Sequence, residues 1–422
     1  MSDARQVQRQ VLILSELNAG GVRYIVHALR ERAYSPVLVS DEPDDLNRGL
    51  CDGHVLVDWA HDSESQLAAK VAALAPAPVA LINLVEALIP WQIHLVEHFG
   101  VHGASPGLAT LLSKAKVRSA MREHGLSDLR FTAGPAASFP LDDVPGFPVI
   151  GKPSQRSGAS RSVRLLHDRA EATAYLLEAA HDFGADCEMI LEEFVPGTEF
   201  SMDGPVTGSR FTPVVIFEKD AHVGQRFHDT GLLVSPPTSE GVDEAARRLA
   251  DRVSQLCASI GVDEAWFHVE GRAAGGVAEL IEINPRVGGG VNLHAVTQLT
   301  GLNPIDTLID MALFHPDERK PREPARQPHP VEAQLWGALP IQADEAGIVT
   351  CHSAVADLLG LPGVVDGLVL SPYRAESIDQ ENFFAHFLLA APDVATLRAR
   401  AAAVRDALVY TVSPLPEQTA AG

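Results

Sequence analysis

Residues 267–284 constrain this chain more than any other stretch. Two runs of alternating apolar and polar residues flank Gly275-Gly276, a dipeptide suited to the two-residue turn of a β-hairpin. Successive side chains of a strand point to opposite faces. His268 and Glu270 then share one face, as do Glu282 and Asn284 on the partner strand, while Ile281 and Ile283 are expected to point the other way, into a core. Two carboxylates and an amide oxygen that meet across a hairpin make a hard oxygen site. Such ligands suit Mg²⁺ held jointly with substrate phosphates. Without a cation the acids would repel each other, and a buried unpaired carboxylate is costly. Arg286 follows directly, where a cation steadies developing negative charge, and then comes Gly288-Gly289-Gly290.

Two segments upstream carry further chemistry. A β-like run from Phe147 ends in Lys152 and is followed by small residues, among them Ser157, Gly158 and Ser160. Small residues let backbone N–H groups approach phosphate oxygens, and a lysine at the loop's base adds positive charge. The Walker A spacing is absent. A plain surface hairpin fits the same residues. Farther on, Ile190 and Leu191 lead into Glu192 and Glu193, then a Pro196-Gly197 turn, then a new alternating strand to Asp203. Read locally, that is a hairpin with solvated acids. The chain has only six lysines, Lys70, Lys114, Lys116, Lys152, Lys219 and Lys320, among 33 basic residues. A sequence that uses arginine for surface charge makes its few lysines conspicuous, since ammonium is the compact cation that suits a phosphate.

Residues 10–100 alternate short strands (Val11–Leu14, Pro36–Ser40, His54–Val57, Val79–Asn83) with helical stretches (Val22–Arg32, Ser65–Leu74, Glu86–Phe99). That order implies parallel βαβ units in a small doubly wound domain. A helix from Ser113 to Gly125 follows, with Ser as its cap. The proline-rich stretch 315–330 reads as a stiff, solvated linker or crossing segment, and Val364–Leu370 and Val394–Leu408 as a further strand and helix. The net charge of −22 disfavours nucleic acid and anionic membrane as partners. No apolar run approaches the length of a membrane span or a signal-peptide core, so a cytoplasmic location is expected. The four cysteines have no metal-ligand spacing and read as scattered thiols.

Taken in order, these strings resemble the ATP-grasp superfamily. The decisive one is Glu270…Leu280-Ile281-Glu282-Ile283-Asn284-Pro285-Arg286-Val287-Gly288-Gly289-Gly290, supported by Ile150-Gly151-Lys152-Pro153-Ser154, by Glu192 to Glu199, and by His102 to Lys114 with Arg118. The resemblance implies an α/β and α+β architecture: a doubly wound pre-ATP-grasp domain (1–110), a small lid subdomain with a central helix (111–195), a large subdomain with the metal site (196–315) and a C-terminal part completing it (316–422). ATP would lie between the two α+β subdomains. Lys114 and Lys152 would hold its phosphates, with Lys116 a rival for Lys114, and Ser157, Gly158 and Ser160 would close over them. Glu192, Glu193, Phe194 and Val195 would meet the adenine, and Glu199 the ribose. Glu270, Glu282 and Asn284 would bind Mg²⁺, or Mn²⁺ in its place, and Arg286 would stabilise the transferred phosphoryl group. Ser113, Gly151 and Ser162 depart from the family's usual residues.

Within the superfamily the chain looks most like L-amino acid ligases that make dipeptides. The implied reaction joins a carboxylate to an amine through an acyl-phosphate, and a biosynthetic role in making a peptide-like antibiotic is an expectation by analogy. Small-molecule carboxylate and amine are the expected partners, with a homodimer as the default assembly. Glu218, Arg226, His228, His268, Gly289 and His294 are candidates for substrate contact, and Glu218, His228 and Asp229 for the base. Two other readings stay open: a carboxylase-type enzyme that activates bicarbonate, and a protein that binds ATP without turnover.

Overall fold

A computed structural model of the chain describes residues 9–16, 19, 21–155, 162–221, 231–290, 292–319, 334–377 and 382–415. Four strands, Gln10–Ser15, Ser35–Ser40, Gly53–Leu56 and Ala80–Asn83, form a parallel sheet with Ala80–Asn83 at one edge. The central strand Gln10–Ser15 is buried along nearly its whole length, as a strand covered on both faces must be. Helices Glu64–Leu74 and Ile89–Phe99 cover one face. The other is covered by Val22–Glu31 and by Pro304–Leu313, which returns from far along the chain to bury Ile305, Ile309 and Ala312 there.

One expected element is shorter than its sequence pattern suggests. The helix over Glu86–Phe99 starts only at Ile89, after a single 3₁₀ turn at Glu86–Leu88. Pro90 explains the break, because a residue without an N–H is tolerated only in a helix's first turn. Glu86 is thereby left at the C-terminal end of the parallel sheet, outside the regular helix.

A second, antiparallel sheet runs in the order Phe131–Pro135, Glu188–Glu193, Val149–Pro153, Arg164–Leu166. Helix Arg169–Phe183 packs on it through Ala172, Tyr175, Leu176 and Ala179. Lys152 thus sits on a true hairpin strand, paired with Arg164–Leu166. The segment after Glu193 is not a hairpin. Strand Glu188–Glu193 belongs to this small sheet, while Thr198–Thr207 belongs to a different one. Pro196-Gly197 is therefore a crossing between sheets, and Gly197 is needed there: its φ is +113° and a Cβ would lie 2.2 Å from the Ala273 carbonyl oxygen.

The third sheet is the largest, with nine strands. Val277–Asn284, Glu264–Ala274, Thr198–Thr207, Val215–Lys219, Leu233–Ser235, Leu335–Gln342, Phe383–Ala391 and Val364–Val369 lie in that spatial order, and Arg210–Phe211 pairs onto Thr207 and Val206. Leu335–Gln342, Phe383–Ala391 and Val364–Val369 therefore extend the sheet that carries the acid hairpin, while Tyr373–Ala375, Gly347–Cys351 and Tyr410–Ser413 form a separate small sheet. Helix Val242–Ile260 covers its back with Val242, Ala245, Leu249, Val253 and Leu256, a spacing of three and four that makes one apolar stripe. These residues meet Phe200, Met202, Phe267, Val269 and Ile283, the alternate side chains of the strands. Each such fully buried large side chain contributes about 1.5–3 kcal/mol. The front of those strands carries polar side chains around the acid hairpin, apart from Trp266, which packs against Phe217, Ala295 and Val296.

Candidate active site

The hairpin turns at Gly275-Gly276, both with positive φ (57° and 77°) as a type I′ turn requires. Its register sets His268 opposite Asn284 and Glu270 opposite Glu282. On the other side, His268 faces Asp203 and Glu270 faces Ser201. The register shifts between Glu270 and Gly271, which pairs with Leu280, so Ile281 is the extra residue of a β-bulge. The bulge overturns one expectation: Ile283 is in the core, but Ile281 lines the cleft on the front of the sheet. The bulge also frees the Ile281 carbonyl, which accepts from Lys152 Nζ at 3.2 Å and lies 3.5 Å from Arg118 Nη2.

That cleft, of about 580 Å³, lies between the small and large sheets. It is lined by Lys152, Glu192, Glu193, Phe194, Val195 and Glu199 together with Glu270, Arg272, Ile281 and Glu282. At its back Glu192 bridges Lys152 Nζ (2.6 Å) and Arg118 Nε (2.7 Å), and all three side chains are almost wholly buried. Burial works to raise the Glu192 pKa, but the two cations outweigh it and hold the carboxyl at about 2. Burial pulls Lys152 below the ordinary lysine value, with the Glu192 charge acting against it. Glu193 faces outward to Arg130, whose backbone N–H donates at 2.9 Å.

Lys114 begins the helix Lys114–Glu123, capped by the Ser113 hydroxyl, and its Nζ lies 2.8 Å from Glu282 Oε1. Lys116 is exposed on the same helix. The helix start is locked to the base of the serine-rich loop: Lys114 N–H donates to the Ser154 carbonyl at 2.8 Å, and the Ser113 and Ser154 hydroxyls are 3.0 Å apart. Ser157, Gly158 and Ser160 lie outside the described residues.

The front of the large sheet carries a row of alternating charges. Asp203 Oδ2 meets His268 Nδ1 at 2.7 Å, and His268 Nε2 lies 3.4 Å from Glu270. Glu270 meets Lys219 Nζ at 2.6 Å, Lys219 lies 3.3 Å from Glu199, and Glu199 accepts from Arg272 Nε at 2.9 Å. Arg272 also donates to the Val195 carbonyl at 3.2 Å. Burial would lower the His268 pKa, yet Asp203 and Glu270 raise it to about 10. Lys219 and His268 hold Glu270 far below the usual carboxylate range despite its burial.

Among the described residues no three His, Cys, Asp or Glu side chains form a self-sufficient metal cluster. Mg²⁺ takes one or two carboxylates and keeps its other positions for water and substrate phosphates. Glu270 and Glu282 are cross-strand neighbours, and each already holds a cation, Lys219 or Lys114. With the buried Asn284 beside them, the donor set fits a hard divalent ion.

Glu86, of an adjoining cavity, has its carboxylate 3.8 Å from Arg286 Nε. Glu86 lines that cavity with Lys114 and Glu282, and burial raises its pKa, partly countered by Arg286. Sequence reasoning passed over Glu86 because it read as part of a helix. It also passed over Asp203 and Lys219, although lysine scarcity was the signal for the latter.

The other substrate candidates scatter. Glu218 lies on the opposite face of its strand from Lys219, and its carboxylate accepts from Thr238 N, Ser239 N and Ser239 Oγ. His294 Nδ1 is 2.7 Å from Asp366 Oδ2 and stacks edge-on with Tyr24. Gly289 is exposed, and its carbonyl accepts from Asn292 N. Arg226, His228 and Asp229 fall outside the described residues. The four cysteines are free. Among the described residues no helix is long and apolar enough to cross a membrane.

Residues 146–294 match the ATP-grasp domain family. The chain is 29% identical over 176 residues to dapdiamide A synthase of Enterobacter agglomerans, covering 40% of each protein. It is 26% identical over 314 residues to carnosine synthase 1 of Gallus gallus, covering 65% of this chain and 32% of that one. The chain thus spans less than half the length of these curated relatives. Among solved structures, an L-amino acid ligase from Bacillus licheniformis superposes with a TM-score of 0.78 at 16% identity, over 96% of this chain and 99% of that one.

Proposed function

We propose that this chain, which carries an ATP-grasp domain, is an ATP-dependent ligase that joins the carboxylate of an amino acid to an amine through an acyl-phosphate. The observation that carries the reading is the single cleft in which Lys152, Glu192 to Val195 and Glu199 face the opposed pair Glu270 and Glu282. Both curated relatives described above are named as synthases, which favours amide formation over activation of bicarbonate.

A carboxylate is a poor acyl donor because oxide is a poor leaving group, and phosphorylation repairs this. Lys152 in the cleft and Lys114 beside Glu282 neutralise phosphate charge, and Val195 offers its backbone to the base. Glu270, Glu282 and Asn284 would hold magnesium, which supplies charge neutralisation between the phosphates and the acids. Arg286 lies beyond the acid pair, where it can steady charge on the transferred phosphoryl and on the acyl-phosphate oxygen. The incoming amine must lose a proton. Glu86, made more basic by burial and facing Arg286, is suited to hold that ammonium and receive its proton.

The test is an ADP-release screen over pairs of amino acids with Mg²⁺, with mass detection of the product. The expected outcome is amine-dependent ADP release and a product mass equal to the two substrates less one water. ADP release that follows bicarbonate instead of amine, or no release with any pair, refutes the reading.

A further inference from the structure

Asp203 is 1% exposed, and its carboxylate holds three donors. Oδ1 accepts from the Gly288 backbone N–H at 2.8 Å and lies 3.4 Å from Trp266 Nε1, and Oδ2 faces His268 Nδ1 at 2.7 Å. One side chain thus joins the segment after Arg286 to the strand that bears Glu270. The fit is close. A Cβ on Gly288 would lie 2.6 Å from Asn292 Nδ2, 2.7 Å from His268 Nδ1 and 2.9 Å from Asp203 Oδ2, so only glycine lets the backbone come down onto the carboxylate. Because Nδ1 of His268 is fixed by Asp203, Nε2 is directed at Glu270. A partner behind an imidazole sets ring orientation in this way.

We infer that Asp203 is a positioning residue for the ligase reaction: it anchors the Arg286–Gly290 segment and, through His268, aims Glu270, so that the phosphoryl-stabilising arginine and the acid pair keep one geometry. The inference rests on the proposed ligase reading. Asp203 lies behind the reacting groups and does not touch substrate. It lies on the large sheet, whereas Glu192 and Glu193 lie on the small one, so the adenine-facing stretch is not held by it.

The experiment takes two readings on the full chain and its Asp203→Ala and Asp203→Asn variants. One is steady-state ADP release with the best substrate pair, and the other is amide hydrogen exchange of the peptide spanning 285–292. In Asp203→Ala, kcat is expected to fall about 100-fold while KM for ATP stays within twofold, and exchange near Gly288 to rise tenfold or more. Asparagine keeps an acceptor for Gly288 and a donor for His268, so Asp203→Asn regains at least tenfold in kcat. If Asp203→Ala does not fold, the cycle of Asp203→Asn with His268→Gln decides, and strictly additive losses overturn the inference. A folded Asp203→Ala variant within threefold of wild-type kcat also overturns it, as does a KM for ATP that rises in step with the loss. If wild type itself releases no ADP across the screen, the ligase reading falls, and unchanged exchange near Gly288 in Asp203→Ala then sinks the anchoring role on its own.

Discussion

Replacing Glu192 by Gln removes the one negative charge between two cations that water does not reach. Glu192, Lys152 and Arg118 are 2%, 3% and 4% exposed. A carboxyl held at about 2, against an ordinary 4.5, favours the folded state at neutral pH by about 3 kcal/mol, at roughly 1.4 kcal/mol for each tenfold. This agrees with the 3–5 kcal/mol, in round terms, that follows from breaking a buried pair and stranding its partner. The folded pKa is depressed, so the contribution is complete above pH about 4.5 and is lost as pH falls towards 2. Lys152 bears the opposite effect: burial already holds its pKa below the ordinary lysine value, and removing Glu192 takes away the charge that acts against it. Adding Lys152→Met to Glu192→Gln should therefore recover roughly 1 kcal/mol or more by relieving the stranded ammonium. Urea unfolding followed by far-UV circular dichroism at pH 7 measures both, and hydrogen exchange in Glu188–Glu193 locates the loss. A Glu192→Gln variant within about 0.5 kcal/mol of wild type, or a double variant as unstable as the two single losses summed, would refute the electrostatic reasoning.

Further outcomes follow from the same site. Glu270→Gln and Glu282→Gln should each lower Mg²⁺-dependent ADP release about 100-fold or more while metal-free ADP binding, read by calorimetry, stays within threefold; full turnover in either removes the metal assignment. Arg286→Met should lower kcat about 100-fold with KM for ATP unchanged, and a change confined to KM would make the arginine a ground-state contact. Gly288→Ala must displace three polar side chains, which costs about 1–3 kcal/mol, and a thermal midpoint equal to wild type would show that the close approach is not maintained in solution.

Much of this site is legible in the sequence because it depends on strand alternation. Period two alone puts His268 with Glu270, and Glu282 with Asn284, on one face of each strand, but counting back from the Gly275-Gly276 turn sets Glu270 opposite Ile281, and only the bulge brings it opposite Glu282. Alternation fails at Ile281, since a bulge inserts one residue and no residue type announces it. The Pro196-Gly197 turn misleads for another reason. A hairpin turn and a crossing between two sheets use the same residues, and only the partners of each strand, set by distant sequence, distinguish them. Glu218 alternates with Lys219, so the two point to opposite faces of their strand, a point the sequence already contained. Helix Pro304–Leu313 reads as an ordinary amphipathic helix and gives no sign that its apolar stripe covers the first sheet, 200-odd positions upstream along the chain.

The use of lysine joins these observations. Three of the six lysines, Lys114, Lys152 and Lys219, meet carboxylates of one site, Glu282, Glu192 and Glu270. An ammonium is a point charge that fits between crowded oxygens, whereas guanidinium is a planar fork that needs room for five N–H groups. Lys219 shows the difference most sharply. Its side chain is 5% exposed and its Nζ lies 2.6 Å from Glu270 and 3.3 Å from Glu199, within a row where Arg272 already holds the far side of Glu199. Lys219→Arg keeps the charge but must push its larger head into one of those two acids. It should lower kcat about tenfold or more, with the fold intact by circular dichroism, because Glu270 is displaced from its place opposite Glu282. If Lys219→Arg turns over like wild type, positive charge alone suffices at that position, and the scarcity of lysine elsewhere has no bearing on its placement here.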